Sequence, residues 1–166
     1  MTQNRPVTFT VDHINLEPGI YESRVDEIGG TRIATYDIRL CRPYKDKTLT
    51  PGEAHTVEHI FASAVRSAEN ENIKVVYFGP MGCLTGFDLI LAGNFTETEA
   101  VGFIRRAAEN ALRLKTTPGN KKEECGNCFS LLKPGEVKTY LEKILRLIKA
   151  SESSGRLPAY PLLKEP

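Results

Sequence analysis

Residues Thr31–Ala68 read TRIATYDIRLCRPYKDKTLTPGEAHTVEHIFASAVRSA, and a change of period inside this stretch decides the fold. Over Thr31–Leu40 apolar and polar residues alternate, which is the pattern of a strand with one face buried. Over Glu53–Ala68 the spacing becomes helical, with Val57, Ile60, Phe61, Ala64 and Val65 along one side. Pro51 near its start and Glu53 in its first turn suit the positive end of a helix. The polar connector Cys41–Gly52, with Pro43 and Pro51, separates the two elements.

Working outward, Val7–Val11 (VTFTV) is β-branched and aromatic and predicts a first strand. Leu16–Gly30 is mixed and carries Pro18-Gly19 and Gly29-Gly30 as turn marks. Ile73–Phe78 (IKVVYF) and Phe87–Ala92 predict two more strands around a glycine-punctuated turn at Gly79–Gly82. Further helices are expected over Thr96–Leu114 and Glu136–Ala150, with a polar loop at Asn120–Glu124 and an irregular extension over 151–166. Interspersed strands and helices predict an α+β fold: two layers, an antiparallel or mixed sheet with helices on one face. The 166 residues suit a single domain, 1–166.

Lys+Arg total 22 and Asp+Glu 21, a net charge of +1. That balance excludes binding driven by phosphate neutralisation or by a polybasic membrane surface. The N-terminal residues lack the apolar core of a signal peptide. No run approaches the roughly 20 apolar residues that span a bilayer. A cytoplasmic location is therefore expected, where cysteines serve as ligands, nucleophiles or buried thiols rather than in disulfides. The inventory for metal or imidazole chemistry is short: His13, His55 and His59, with Cys41, Cys83, Cys125 and Cys128.

His55-Thr56-Val57-Glu58-His59 is the sharpest local motif. Residues four apart share a helix face, so both imidazoles can reach one ion. Glu58 projects beside the pair, where a carboxylate can move a proton next to a bound metal. A third ligand is needed, and Cys125-Gly126-Asn127-Cys128 offers two candidates. If both cysteines bind, the site is a closed structural tetrahedron. If one binds, a position stays open for water or substrate. A thioredoxin-type redox pair is the third reading of CGNC, although the polar flank KKEE is not a strand. Cys83, between glycines in Gly79–Gly86, is either a small buried thiol or, beside a cation, a thiolate fit for acid/base or nucleophilic work. Cys41, at a strand end, reads as a plain buried thiol.

Thr10–His13 (TVDH), Tyr36–Leu40 (YDIRL), HTVEH, Gly79–Phe87 (GPMGCLTGF) and Glu124–Asn127 (ECGN), in this order, resemble the S-ribosylhomocysteine lyase (LuxS) family across nearly the whole chain. The resemblance implies one divalent metal per subunit, Fe2+ with Zn2+ or Co2+ as substitutes, held by His55, His59 and Cys125. It implies Cys83 and Glu58 as the acid/base pair and Arg39 as the active-site arginine. Thr8, His13, Tyr77 and Gly126 fall at substrate-contacting positions. It further implies a homodimer with sites at the interface, and cleavage of the small molecule S-ribosylhomocysteine to homocysteine and the autoinducer-2 precursor. No nucleic acid or membrane partner is implied. The sequence departs from the pattern at Tyr77, where the family usually has Asp, at Gly79 for Ser, at Asp88 for Tyr, and at Ser130-Leu131 for the polar pair after the ligand cysteine; Cys128 is extra. Three alternatives stand beside this reading: a diverged homologue acting on another substrate, an inverted-motif zinc peptidase, and a non-catalytic protein with a zinc closed by Cys128.

Overall fold

The computed structural model describes residues 6–163. Four strands form one antiparallel sheet in the order β1-β2-β4-β3: β1 Gly19–Ile28, β2 Thr31–Arg39, β3 Ile73–Pro80 and β4 Gly86–Gly93. The three pairings resolve the expected antiparallel or mixed sheet as antiparallel.

The first strand lies elsewhere than expected. Val7–Phe9 of VTFTV form a short 3-10 helix, and Val11 keeps only an isolated bridge to Leu162. The edge strand is instead β1, GIYESRVDEI. Gly29-Gly30 is not a break but its hairpin turn: both residues have positive φ (59° and 76°), and Ile28 pairs with Thr31 across them. Two left-handed residues match the twist of the flanking strands, which is why Gly-Gly serves there. The charged residues that disguised β1 belong to a strand at the sheet edge, where they are solvated.

Helix α1 spans Pro51–Ser67, α2 Glu97–Ala111 and α4 Lys138–Ser154, with a short α3 at Lys122–Cys125 that begins within the expected polar loop and ends one residue past it. The last helix begins two residues later than expected, behind a 3-10 turn at Pro134–Glu136, and runs on to Ser154 inside the stretch read as irregular. No helix among the described residues is long and apolar enough to cross a membrane.

Alternation sorts the two sheet faces. Ala34, Tyr36 and Ile38 of β2 and Phe87, Leu89 and Leu91 of β4 are buried in the main core with Val57, Ile60, Phe61, Ala64 and Val65 of α1. Phe61 meets Phe78 with ring centroids 4.9 Å apart. The helices pack on this face, α1 against β3 and α2, and α2 against α4. The opposite face carries Thr35, Asp37 and Arg39 of β2, paired with Ile90, Asp88 and Gly86 of β4. There the segment around Val11 and the tail around Tyr160 form a small second cluster with Leu16 and Tyr21. The fold thus separates α1 from the Asp37–Arg39 face by the thickness of the sheet.

Candidate functional site

The start of α1 is closely fixed. Thr50 caps it and Glu53 reaches back to the Thr50 N–H at 2.7 Å, a reciprocal box that satisfies two orphan donors. Thr56 donates to the Gly52 carbonyl and accepts from the Leu132 N–H at 2.9 Å, tying the segment after Cys125 to the helix. His55 and His59 lie on successive turns here.

The imidazoles are oriented from outside. The His59 Nδ1 lies 2.8 Å from the Pro118 carbonyl, which can only accept, so Nδ1 carries the proton. Ser130 Oγ donates to the Asn127 carbonyl at 3.0 Å and so accepts from His55 Nδ1 at 2.7 Å. With the protons on Nδ1, neutral rings present both Nε2 atoms as lone pairs, and the two Nε2 atoms lie 3.0 Å apart. Cys125 Sγ is 3.4 Å from His55 Nε2, and the three donor atoms lie within 4.8 Å of one another. Metal–nitrogen bonds of about 2.0 Å and a metal–sulfur bond of about 2.3 Å give tetrahedral ligand edges of roughly 3.3–3.6 Å. The cluster fits a divalent cation on distance, on tautomer and on the need to separate two lone pairs. Gly119 permits the approach of the Pro118 loop: its φ is +67°, and a Cβ there would fall 2.8 Å from His59 Nδ1.

Among the described residues the metal-capable group is His55, His59 and Cys125, without Cys128. The open, three-ligand geometry is therefore favoured over the closed two-cysteine one. Glu58 is half-buried on the same helix. Gly126 caps α3 with φ +70°, exposed beside Cys125. Cys41 is buried, as expected.

Cys83, Arg39, Thr8 and His13 come together in a second place. They line a 270 Å3 cavity on the face of the sheet opposite the helices, with Asp37, Thr85, Asp88 and Tyr160 also in its wall. No residue of α1 and none from 118 to 130 lines it. Tyr77 lines the adjoining 370 Å3 cavity, which shares Thr8, Asp88 and Tyr160 with the first. Arg39 is 5% exposed; its Nη2 donates to Asp37 Oδ2 at 2.7 Å, and its Nη1 reaches Thr85 Oγ1 and lies 3.6 Å from Cys83 Sγ. Partial burial pushes the Cys83 thiol up, but hydrogen bonds with Thr85 and the charge of Arg39 outweigh it and hold the thiol below its ordinary value. Burial raises the Asp37 carboxyl against the pull of Arg39 and Tyr160. Burial and the neighbouring Asp37 raise Asp88.

The departures from the family pattern fall into two groups. A Cβ on Gly79 would lie 2.1 Å from the Tyr77 hydroxyl, so the tyrosine ring occupies the space a side chain at 79 would fill. Gly79 is paired across the sheet with Asp88. Tyr77, Gly79 and Asp88 are thus neighbours, and Tyr77 and Asp88 both line the 370 Å3 cavity. Ser130, in the second group, supports His55. Sequence reasoning missed Asp37 and Tyr160, and flagged Asp88 only as a departure from the family pattern. The alternation TYDIRL does place Asp37 and Arg39 on one face, but Tyr160 sits in a tail with no periodicity to read.

Residues 7–153 match the family model described as S-Ribosylhomocysteinase (LuxS). The chain is 40% identical over 128 residues to the S-ribosylhomocysteine lyase of Clostridium acetobutylicum, covering 76% of this chain and 81% of that one. It is 37% identical over 150 residues to that of Desulfotalea psychrophila (90% and 86%), and 37% over 147 residues to that of Finegoldia magna (87% and 92%). With matches of this extent the chain belongs to the S-ribosylhomocysteinase (LuxS) family.

Proposed function

We propose that this protein is an S-ribosylhomocysteine lyase, releasing homocysteine and 4,5-dihydroxy-2,3-pentanedione, the autoinducer-2 precursor, in the cytoplasm. The observation that carries the reading is the pair of half-sites: a cation cluster on α1 and an arginine-flanked thiol across the sheet, in a chain of this family. His55, His59 and Cys125 would hold the divalent metal, ferrous iron with zinc or cobalt as substitutes. When bound, it supplies Lewis-acid polarisation of a sugar carbonyl.

The protein's own groups then move protons. Shifting the carbonyl along the ribose takes a proton from one carbon and returns one to its neighbour, first from C1 to C2 and then to C3. Removing the C4 proton then breaks the C5–S bond, and homocysteine leaves as a thiolate that takes up a proton. Cys83, held toward thiolate by Thr85 and Arg39, is the base on one side, and the Glu58 carboxylate serves on the other. Thr8, His13, Tyr77 and Gly126 border the substrate; the His13 ring is held by its Nδ1 on the Val11 carbonyl at 3.0 Å.

The two half-sites lie on opposite faces of the sheet, and both must meet one substrate. A homodimer in which each site combines the α1 cluster of one protomer with the Cys83 cavity of its partner satisfies this. The test is free-thiol release from S-ribosylhomocysteine by iron-loaded protein. Release that stops when a chelator strips the metal is the expected result; no thiol above background would overturn the reading.

A further inference from the structure

The C-terminal tail reaches into the Cys83 cavity. Tyr160 lies beyond residues 7–153, the part of the chain that the family model matches, yet it lines the same cavity as Cys83, Arg39 and His13. The tail is fastened in place: the Asp12 N–H donates to the Pro161 carbonyl at 2.8 Å, the Leu163 N–H donates to the Thr10 carbonyl at 2.9 Å, and Val11 bridges Leu162. The Tyr160 ring stacks on Tyr21 with centroids 4.6 Å apart and planes within 6°. This leaves one degree of freedom, the hydroxyl, and it donates to Asp37 Oδ2 at 2.8 Å.

Asp37 has little else to hold it. It is 2% exposed, its Oδ1 finds no partner among the described residues, and Oδ2 is shared by Tyr160 and Arg39. A buried carboxylate with one oxygen unsatisfied keeps its orientation only through the donors it has. Arg39 depends on Asp37 in turn: Nη2 is fixed there while Nη1 faces Thr85 and Cys83, and Nε has no partner among the described residues. The chain of contacts runs Tyr160, Asp37, Arg39, Cys83.

We infer that Tyr160 is a positioning residue for the lyase reaction: its hydroxyl locks Asp37 so that the Arg39 guanidinium stays aimed at the Cys83 sulfur. The inference rests on the proposed lyase activity for its kinetic consequence but not for its geometric one. The groups facing Cys83 are Arg39 and Asp37 from β2, Asp88 from β4, His13 from the N-terminal segment and Tyr160 from the tail. Tyr160→Phe keeps the ring stack and alters only the hydroxyl. Burial and Asp37 hold the Tyr160 phenol protonated, so it is a donor throughout the working range.

The test uses metal-loaded full-length protein. Tyr160→Phe is compared with wild type and with Tyr21→Phe, which loses its bond to the Glu17 carbonyl but leaves the partners of Asp37 intact. Two readouts are taken: kcat and KM for thiol release, and the pH profile of Cys83 alkylation followed on the Cys83 peptide by mass spectrometry. For Tyr160→Phe, kcat is expected to fall on the order of tenfold, as for one charged hydrogen bond, with KM within about twofold. The alkylation midpoint is expected to rise by about half a pH unit or more as the guanidinium swings from the sulfur. Tyr21→Phe is expected to leave both unchanged. An unchanged or lowered alkylation midpoint in Tyr160→Phe overturns the inference, as does the same shift in Tyr21→Phe. Absence of thiol release by wild type would sink the lyase reading, while the alkylation profile would still judge Tyr160.

Discussion

Ser130→Ala isolates the support beneath the metal cluster. Ser130 Oγ is the partner of His55 Nδ1 at 2.7 Å and is itself oriented by the Asn127 carbonyl at 3.0 Å. Removing it leaves the His55 ring free to rotate and to place its proton on Nε2, the atom that would face a bound ion. His59 keeps the Pro118 carbonyl, and Cys125 is untouched. Losing one outer partner of a ligating histidine typically costs 10–100-fold in metal affinity, or about 1.4–2.7 kcal/mol. The half-buried position of His55 lets water replace part of the lost bond, so the lower half of that range, roughly 10–30-fold, is expected. The assay is competition against a fluorescent zinc chelator at fixed pH, run beside urea unfolding of the metal-free protein. Metal-free stability should change by less than about 1 kcal/mol, because Ser130 sits in a partly exposed 3-10 turn. Wild-type affinity in Ser130→Ala would refute the reasoning. So would a loss of metal-free stability as large as the loss of affinity, because the turn rather than the ring would then have failed.

Three further outcomes follow from other contacts. Gly119→Ala puts a side chain at φ +67° and a Cβ 2.8 Å from His59 Nδ1; the left-handed strain costs about 1–2 kcal/mol, and bound metal per subunit, measured by elemental analysis, should fall well below wild type. Arg39→Gln removes the cation beside Cys83 while Asp37 and the partial desolvation of the thiol remain. The pH at which Cys83 alkylates should therefore rise from a wild-type midpoint that Thr85 and Arg39 hold below that of an ordinary thiol, and a fall would reverse the assigned sign. Phe61→Ala empties a fully buried position packed on Phe78 and should cost about 3–5 kcal/mol, read as a drop in thermal midpoint of roughly 6–20 °C, while metal affinity of the folded fraction stays near wild type.

Local periodicity carried most of the fold. The alternation of Thr31–Leu40 and the helical spacing of Glu53–Ala68 gave β2 and α1 to within about two residues, because both elements bury one face against the same core. β1 was hidden because a solvated edge strand needs little apolar alternation, and because Gly29-Gly30 reads equally as a break or a hairpin. VTFTV failed in the opposite way: its β-branched residues have no sheet edge to join, since β1 takes that place beside β2. The metal cluster was legible because His55 and His59 are neighbours by helical geometry alone. Spacing alone left Cys125 and Cys128 both open as third ligand and only the family resemblance singled out Cys125; the docking of the later loops on α1 through Thr56 and Pro118 is what brings its sulfur beside the two histidines. The second half-site was legible only through family resemblance, and its tail residue, Tyr160, through neither.

The most direct measurement mixes two inactive variants. His55→Ala lacks a metal ligand but keeps the Cys83 cavity; Cys83→Ala keeps the metal cluster but lacks the thiol. Each alone should release no thiol from S-ribosylhomocysteine. After subunit exchange in equal amounts, about half of the dimers carry one variant of each kind, and each of these has one intact composite site, so thiol release should recover to about a quarter of wild type. No recovery in a mixture shown by native mass spectrometry to contain the mixed dimer would contradict a site built across two protomers.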